Sequence, residues 1–130
     1  MTVQELIAEA YRCDREGRER EAIRFYDEAY RIGVPIEQRR RFLVGYGSTL
    51  RNVNRFDDAV AVLAQAIADD PGYPAYAPFL ALALLDTGHA KAALATMLGC
   101  VLDVAPAGSL DGYERALGEY HQLLLAPPPE

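Results

Sequence analysis

Three alanines, Ala22, Ala59 and Ala93, occupy the same place in three copies of one pattern, 37 and then 34 residues apart. A fixed period of this length is the mark of a stacked array of helix pairs, because one pair cannot bury its apolar face alone. The surroundings of each alanine agree in kind. Four residues after it stand Tyr26, Leu63 and Met97, and seven after it Ala29, Ala66 and Cys100. Nine before it stand Cys13, Leu50 and Leu84, and twelve before it Ala10, Gly47 and Ala81. Large apolar residues spaced by three and four keep one face of a helix buried. The small residues opposite them let two backbones pack near the short end of the usual ~8–10 Å range. Gly17, Asn54 and Gly88, five residues before each alanine, are types that end a helix in the left-handed region. Pro35, Pro71 and Pro106 follow each second helix and stop it.

Helices are therefore predicted over Val3 to Glu16 with Thr2 as cap, Glu19 to Arg31, Ile36 to Arg51 and Arg55 to Asp69. Pro78 falls in the first turns of the fifth, which must begin late or bend. The sixth spans Ala90 to Val104 and is expected to pack through Ala93, Met97, Cys100 and Val101. The seventh runs from Gly112 to Leu125, opened by a capping box of Asp111 and Glu114. Arrays of this kind need a terminal helix over their open end, and the seventh is assigned to that task. The tail from Pro127 to Glu130 cannot be helical.

Leu43, Tyr46, Gly47, Leu50, Ala59, Leu63, Ala66 and Pro71 together resemble the tetratricopeptide repeat. The first and third copies match less fully, with Glu9 and Ala77 where large or apolar residues are usual. More narrowly, GSTLRNVNRFDDAVAVLAQAI followed by FLALALLDTGHAKAAL is similar to the bacterial group-5 tetratricopeptide repeat family. The resemblance implies an all-α fold: a right-handed superhelical stack of three helix pairs plus a C-terminal capping helix. One domain over residues 1–126 would hold repeats at about 3–35, 36–72 and 73–106 and a capping helix at 111–125. It also implies that the first helix of each pair lines a concave groove that takes an extended peptide or a partner helix. On that reading the groove carries Ile7, Tyr11, Arg41, Val44, Ser48, Arg51, Leu82 and Leu85. These residues do not reproduce the basic and Asn clamp of chaperone-binding members, so chaperone tails are not the expected partner. Arg51 is expected either to clasp a partner carboxylate in two parallel hydrogen bonds or to pair with a surface acid of this chain. The alternative is self-association into a homodimer through apolar Leu82 and Leu85.

Charge is uneven along the chain. Residues 1–55 hold 11 basic and 9 acidic residues, a net of +2, while residues 56–130 net −8. Arg39, Arg40 and Arg41 sit near a helix start, where the dipole disfavours cations, so either an acidic neighbour such as Asp27 or Glu28 or a contact with an anion or acidic partner is expected. Nucleic acid is not an expected partner: the domain as a whole is acidic, and aromatics do not interleave with the arginines. Cys13 and Cys100 fall on core positions and read as small buried thiols. The start has no basic stretch followed by an apolar run, and no apolar stretch approaches the ~20 residues of a membrane span, so a cytoplasmic setting is expected. His89 and His121 have no ligand partner at metal spacing, and Asp57–Asp58 lacks the loop of a calcium site. Ser48 and Ser109 lie outside any nucleophile elbow, and Gly45–Tyr46–Gly47 lies mid-helix, where glycine means close packing. No catalytic residue, cofactor or metal is expected.

Overall fold

The computed structural model describes residues 1–128. Among them are seven α-helices and no strand: α1 Val3–Arg15, α2 Glu19–Ile32, α3 Arg39–Asn52, α4 Phe56–Asp69, α5 Tyr76–Asp86, α6 Ala90–Val104 and α7 Glu114–Leu125. Thr2 caps α1 through a complete capping box with Glu5, each side chain bonding the other residue's backbone amide at 3.1 Å. Each pair is joined by the same turn. Gly17, Asn54 and Gly88 have φ of 73°, 66° and 82°. The amide that follows each one reaches back to the carbonyl of Cys13, Leu50 or Leu84 at 2.8–2.9 Å. That is the Schellman closure, and it turns the chain into the second helix in all three copies.

The first helices form the inner layer. α1 touches α3 and α3 touches α5, whereas α2, α4 and α6 make no Cα approach to one another within 8 Å. The core between the layers is densest at the first two pairs, where Tyr26, Phe42, Leu50 and Leu63 are fully buried. Gly47 is required there: a Cβ on it would lie 2.6 Å from Leu63 Cγ. Tyr26 stacks on Tyr46 at 5.7 Å and meets Phe42 edge-on at 5.3 Å, tying α2 to α3.

Several expectations need correction. α3 is preceded by a 3₁₀ turn, Ile36–Gln38, and begins at Arg39. α5 does begin late, at Tyr76, as Pro78 requires; Pro78 then lies in the first turn, where its missing N–H has no helical partner to lose. The predicted capping box of α7 does not form. Asp111 lies in a turn with φ 52°, and α7 starts after Tyr113 with no side-chain cap.

The largest departure is the seat of α7. In α4, Leu63 is fully buried against Gly47 of α3 and Val60 and Ile67 pack on the core, while Ala61, Ala64, Gln65 and Ala68 are exposed. In α6, 34 residues on, the pattern is inverted. Leu94, Met97 and Val101 are exposed, whereas Ala95 is buried and Leu98, Gly99 and Leu102 are half-buried. α7 lies on this second side of α6, its His121 against Gly99, and does not approach α5. Met97 and Val101, expected in the core, are therefore surface residues. The cause is readable in α6 itself: Leu98, Gly99 and Leu102 replace Ala64, Gln65 and Ala68, making the back of the helix apolar and dented enough to seat another.

Candidate partner-binding groove

The inner layer opens into a hollow of about 380 Å³ between α1 and α3. Its wall is built from one ring upward. Tyr26 is buried, and its hydroxyl donates to Asp14 Oδ2 at 2.8 Å, while the Thr49 hydroxyl reaches the same carboxylate at 3.4 Å. Gly45 makes room for this, since a Cβ there would fall 2.6 Å from the Tyr26 oxygen. Tyr11 packs its edge on Tyr26 at 6.2 Å, and the Arg41 guanidinium lies over the Tyr11 ring at 4.5 Å. A cation over the ring face is attracted to it and keeps its N–H groups available as donors. Burial raises the Tyr26 hydroxyl well above the ordinary tyrosine range, and the bond to Asp14 adds to it. Burial also raises Tyr11, against the opposing charge of Arg41.

The arginines divide into tied and free. Arg40 clasps Asp70 with two bonds of 2.8 and 2.9 Å and lies over Tyr73, and Arg39 is 3.8 Å from Asp69. These acids at the end of α4, not Asp27 or Glu28, answer the cations at the start of α3. Asp27 instead binds Arg55 at 2.7 Å and accepts the Tyr46 hydroxyl, and Glu28 binds Arg31. Among the described residues, Arg15, Arg20, Arg24 and Arg41 have no carboxylate within 4.0 Å, and of these four Arg15 and Arg41 line the hollow.

Of the eight residues assigned to the groove, the structure brings Tyr11, Arg41 and Val44 together in the hollow. Ile7 is not on the surface. It is 5% exposed, because the buried arc of α1 takes in Leu6, Ile7, Ala10 and Cys13 and so reaches one position beyond the three–four stripe. Arg51 is half-buried and engaged by both oxygens of Asp86, a strut between α3 and α5 rather than an open clasp. Ser48 is half-buried, and Leu82 and Leu85 are exposed farther along the layer, at 41% and 56%. Asp14 and Arg15 were missed, yet the repeat register contains them. Asp14 stands eight residues before Ala22, as Arg51 does before Ala59 and Leu85 before Ala93.

A second cleft, about 740 Å³, opens between the α4–α5 loop, α6 and α7. Ala77 lines it at the position filled by Leu6 and Leu43 in the earlier copies, so a missing side chain is part of its origin. Cys100 and His121 also line it; Cys100, half-buried rather than core, points its Sγ at the Pro74 carbonyl 3.7 Å away. Among the described residues, no group of three or more His, Cys, Asp or Glu is arranged to hold a metal ion, and no helix is long and apolar enough to cross a membrane.

A family model described as tetratricopeptide repeat matches residues 4–124. No curated protein matches the sequence. Among solved structures, PcrH from Pseudomonas aeruginosa is similar, with a TM-score of 0.63 at 13% identity over 95% of this chain and 92% of that one. At that identity the likeness concerns the fold.

Proposed function

This chain belongs to the tetratricopeptide repeat family, and from that premise we propose that it is a non-enzymatic protein-interaction module whose inner groove holds a partner peptide or helix. Proteins of this fold bind other proteins and peptides. The carrying observation is the pair Arg15 and Arg41 in one hollow, without carboxylate partners among the described residues, with the Arg41 guanidinium over the Tyr11 ring. A guanidinium edge suits a carboxylate, which it meets with two parallel bonds. Val44 beside it supplies an apolar anchor. The partner is thus an extended segment carrying an acidic side chain or a free C-terminus next to apolar residues. The carboxylate clasp expected at Arg51 moves to Arg15 and Arg41, because Asp86 already fills Arg51. Nucleic acid has no place in this reading, since Arg39, Arg40, Arg51 and Arg55 are each tied to an acid. A bacterial cytoplasmic setting is part of the proposal, and the two free thiols suit a reducing compartment.

Peptides selected from a random library with free C-termini, titrated calorimetrically, test this reading. Arg41→Glu is expected to weaken the selected peptides tenfold or more, while Arg24→Glu on the exposed side of α2 leaves them unchanged. Equal affinity for wild type and Arg41→Glu removes the hollow from the site.

A further inference from the structure

The array ends in an open seat. Leu94, Met97 and Val101 form one stripe along α6, 58%, 37% and 40% exposed, continued by Val104 (52%) where the stripe meets the rim of the α6–α7 cleft, and Leu82 and Leu85 lie exposed on the neighbouring α5. The corresponding stripe of α4, 34 residues earlier, is covered: Leu63 is fully buried against Gly47 of α3, and Val60 and Ile67 pack on the core. The third pair thus presents the surface on which a further helix would pack, and α7 does not take it, lying on the other side of α6. Six large apolar side chains of this exposure make a patch on the order of 500 Å², within the range that marks an interaction site. That is more than half of the roughly 800 Å² per partner that a stable interface buries.

We propose that this face is covered by the same face of a second copy, in a twofold dimer with α6 packed antiparallel against its mate. Charge decides the arrangement. Between Leu82 and Val104 the ionisable residues are Asp86, His89, Lys91, Cys100 and Asp103, and Asp86 is engaged by Arg51. The stripe therefore offers no charge to select a charged partner, as expected of an interface core. Head-to-tail growth would instead set it on the first pair, whose outer surface carries the ion-pair chain Glu9–Arg12–Glu16–Arg18–Glu21. Burying that network under leucine strips charges of water without return. The twofold pairing is apolar on apolar and closes at two copies. The stripe also suits it: its spacings of three, four and three residues read the same in both directions, so Leu94 opposes Val104 and Met97 opposes Val101 of the mate.

Sedimentation velocity from low micromolar to near-millimolar protein tests the dimer without reference to any groove ligand. Wild type is expected to pass from monomer to dimer and stop there. Met97→Glu with Val101→Glu, both at exposed sites, is expected to remain monomeric with an unchanged helical circular dichroism spectrum. Leu123→Glu, exposed on α7, and Arg41→Glu, in the groove, are expected to dimerise as wild type does. In wild type alone, the Met97 and Leu94 methyl resonances should move with dilution while those of Ile23 on α2 stay fixed. Wild type that is monomeric throughout, or that grows into higher polymers, overturns the proposal. So does a dimer that survives Met97→Glu with Val101→Glu, or methyl shifts confined to other elements. A dimer together with failed peptide selection leaves this face standing and the groove reading refuted.

Discussion

Gly47 and Gly118 are both helical glycines, and their surroundings predict opposite responses to the same substitution. At Gly47 a methyl group would lie 2.6 Å from both Cγ and Cδ2 of Leu63, inside the densest part of the core. Overpacking of that kind costs about 1–3 kcal/mol, more than the ~1 kcal/mol that alanine gains over glycine in a helix. At Gly118 a methyl group meets nothing within 4 Å, so only the gain of roughly 0.5–1 kcal/mol remains. Urea melts should show Gly47→Ala destabilised and Gly118→Ala at least as stable as wild type; matching midpoints would refute the close approach of α3 to α4. Tyr26 and Tyr46 supply a pH test. Both hydroxyls are raised above the ordinary value by burial, then by their bonds to Asp14 and Asp27. The fold therefore favours the protonated phenols. Their contribution is fully present below pH ~10 and is lost as pH rises beyond it, because the unfolded chain releases those protons first. Tyr26→Phe should cost roughly 1.5–3 kcal/mol at neutral pH and flatten the alkaline decline. A midpoint with the same alkaline slope in both proteins would contradict this.

At the scale of elements, the repeat pattern made the first two pairs legible and failed at the end of the array. The turn residues Gly17, Asn54 and Gly88 lie in the left-handed conformation expected of helix-ending residues. The core residues Leu50 and Leu63 are buried as expected. What periodicity does not resolve is a helix apolar on nearly all sides. In α6 the forward stripe and the back are both apolar, and contacts between elements, not spacing, decide which of them is covered. The groove shows the same limit at single side chains: spacing placed Ile7 outward and left Arg51 either open or paired with a surface acid, whereas the wide buried arc of α1 buries Ile7 and Asp86 decides for the pair. The unequal packing predicts unequal stability. α1 to α4 share fully buried large side chains, α6 buries only Ala93 and Ala95, and α7 buries none. Amide hydrogen exchange in dilute protein should be fastest in α7, slower in α6 and slowest in α3, as local openings follow buried contacts. Uniform protection across all seven helices would contradict this gradient.

Across the whole molecule, the basic half and the free arginines coincide. Residues 1–55, with a net of +2, contain the hollow of Tyr11, Arg15 and Arg41, and the half that nets −8 contains the apolar end face. An acidic partner is thereby drawn to one end of the inner layer and repelled from the other, an effect that fades as salt screens it. The central claim is that partners bind on the inner layer at this basic end. Amide chemical-shift mapping tests it most directly, with isotope-labelled protein titrated by a peptide selected from the free C-terminus library. The account predicts that the largest shifts fall on Tyr11, Arg15, Arg41 and Val44, extend toward Ser48, and shrink when salt is raised. Shifts confined to the outer helices α2 and α4, or to the α6–α7 cleft, would contradict it.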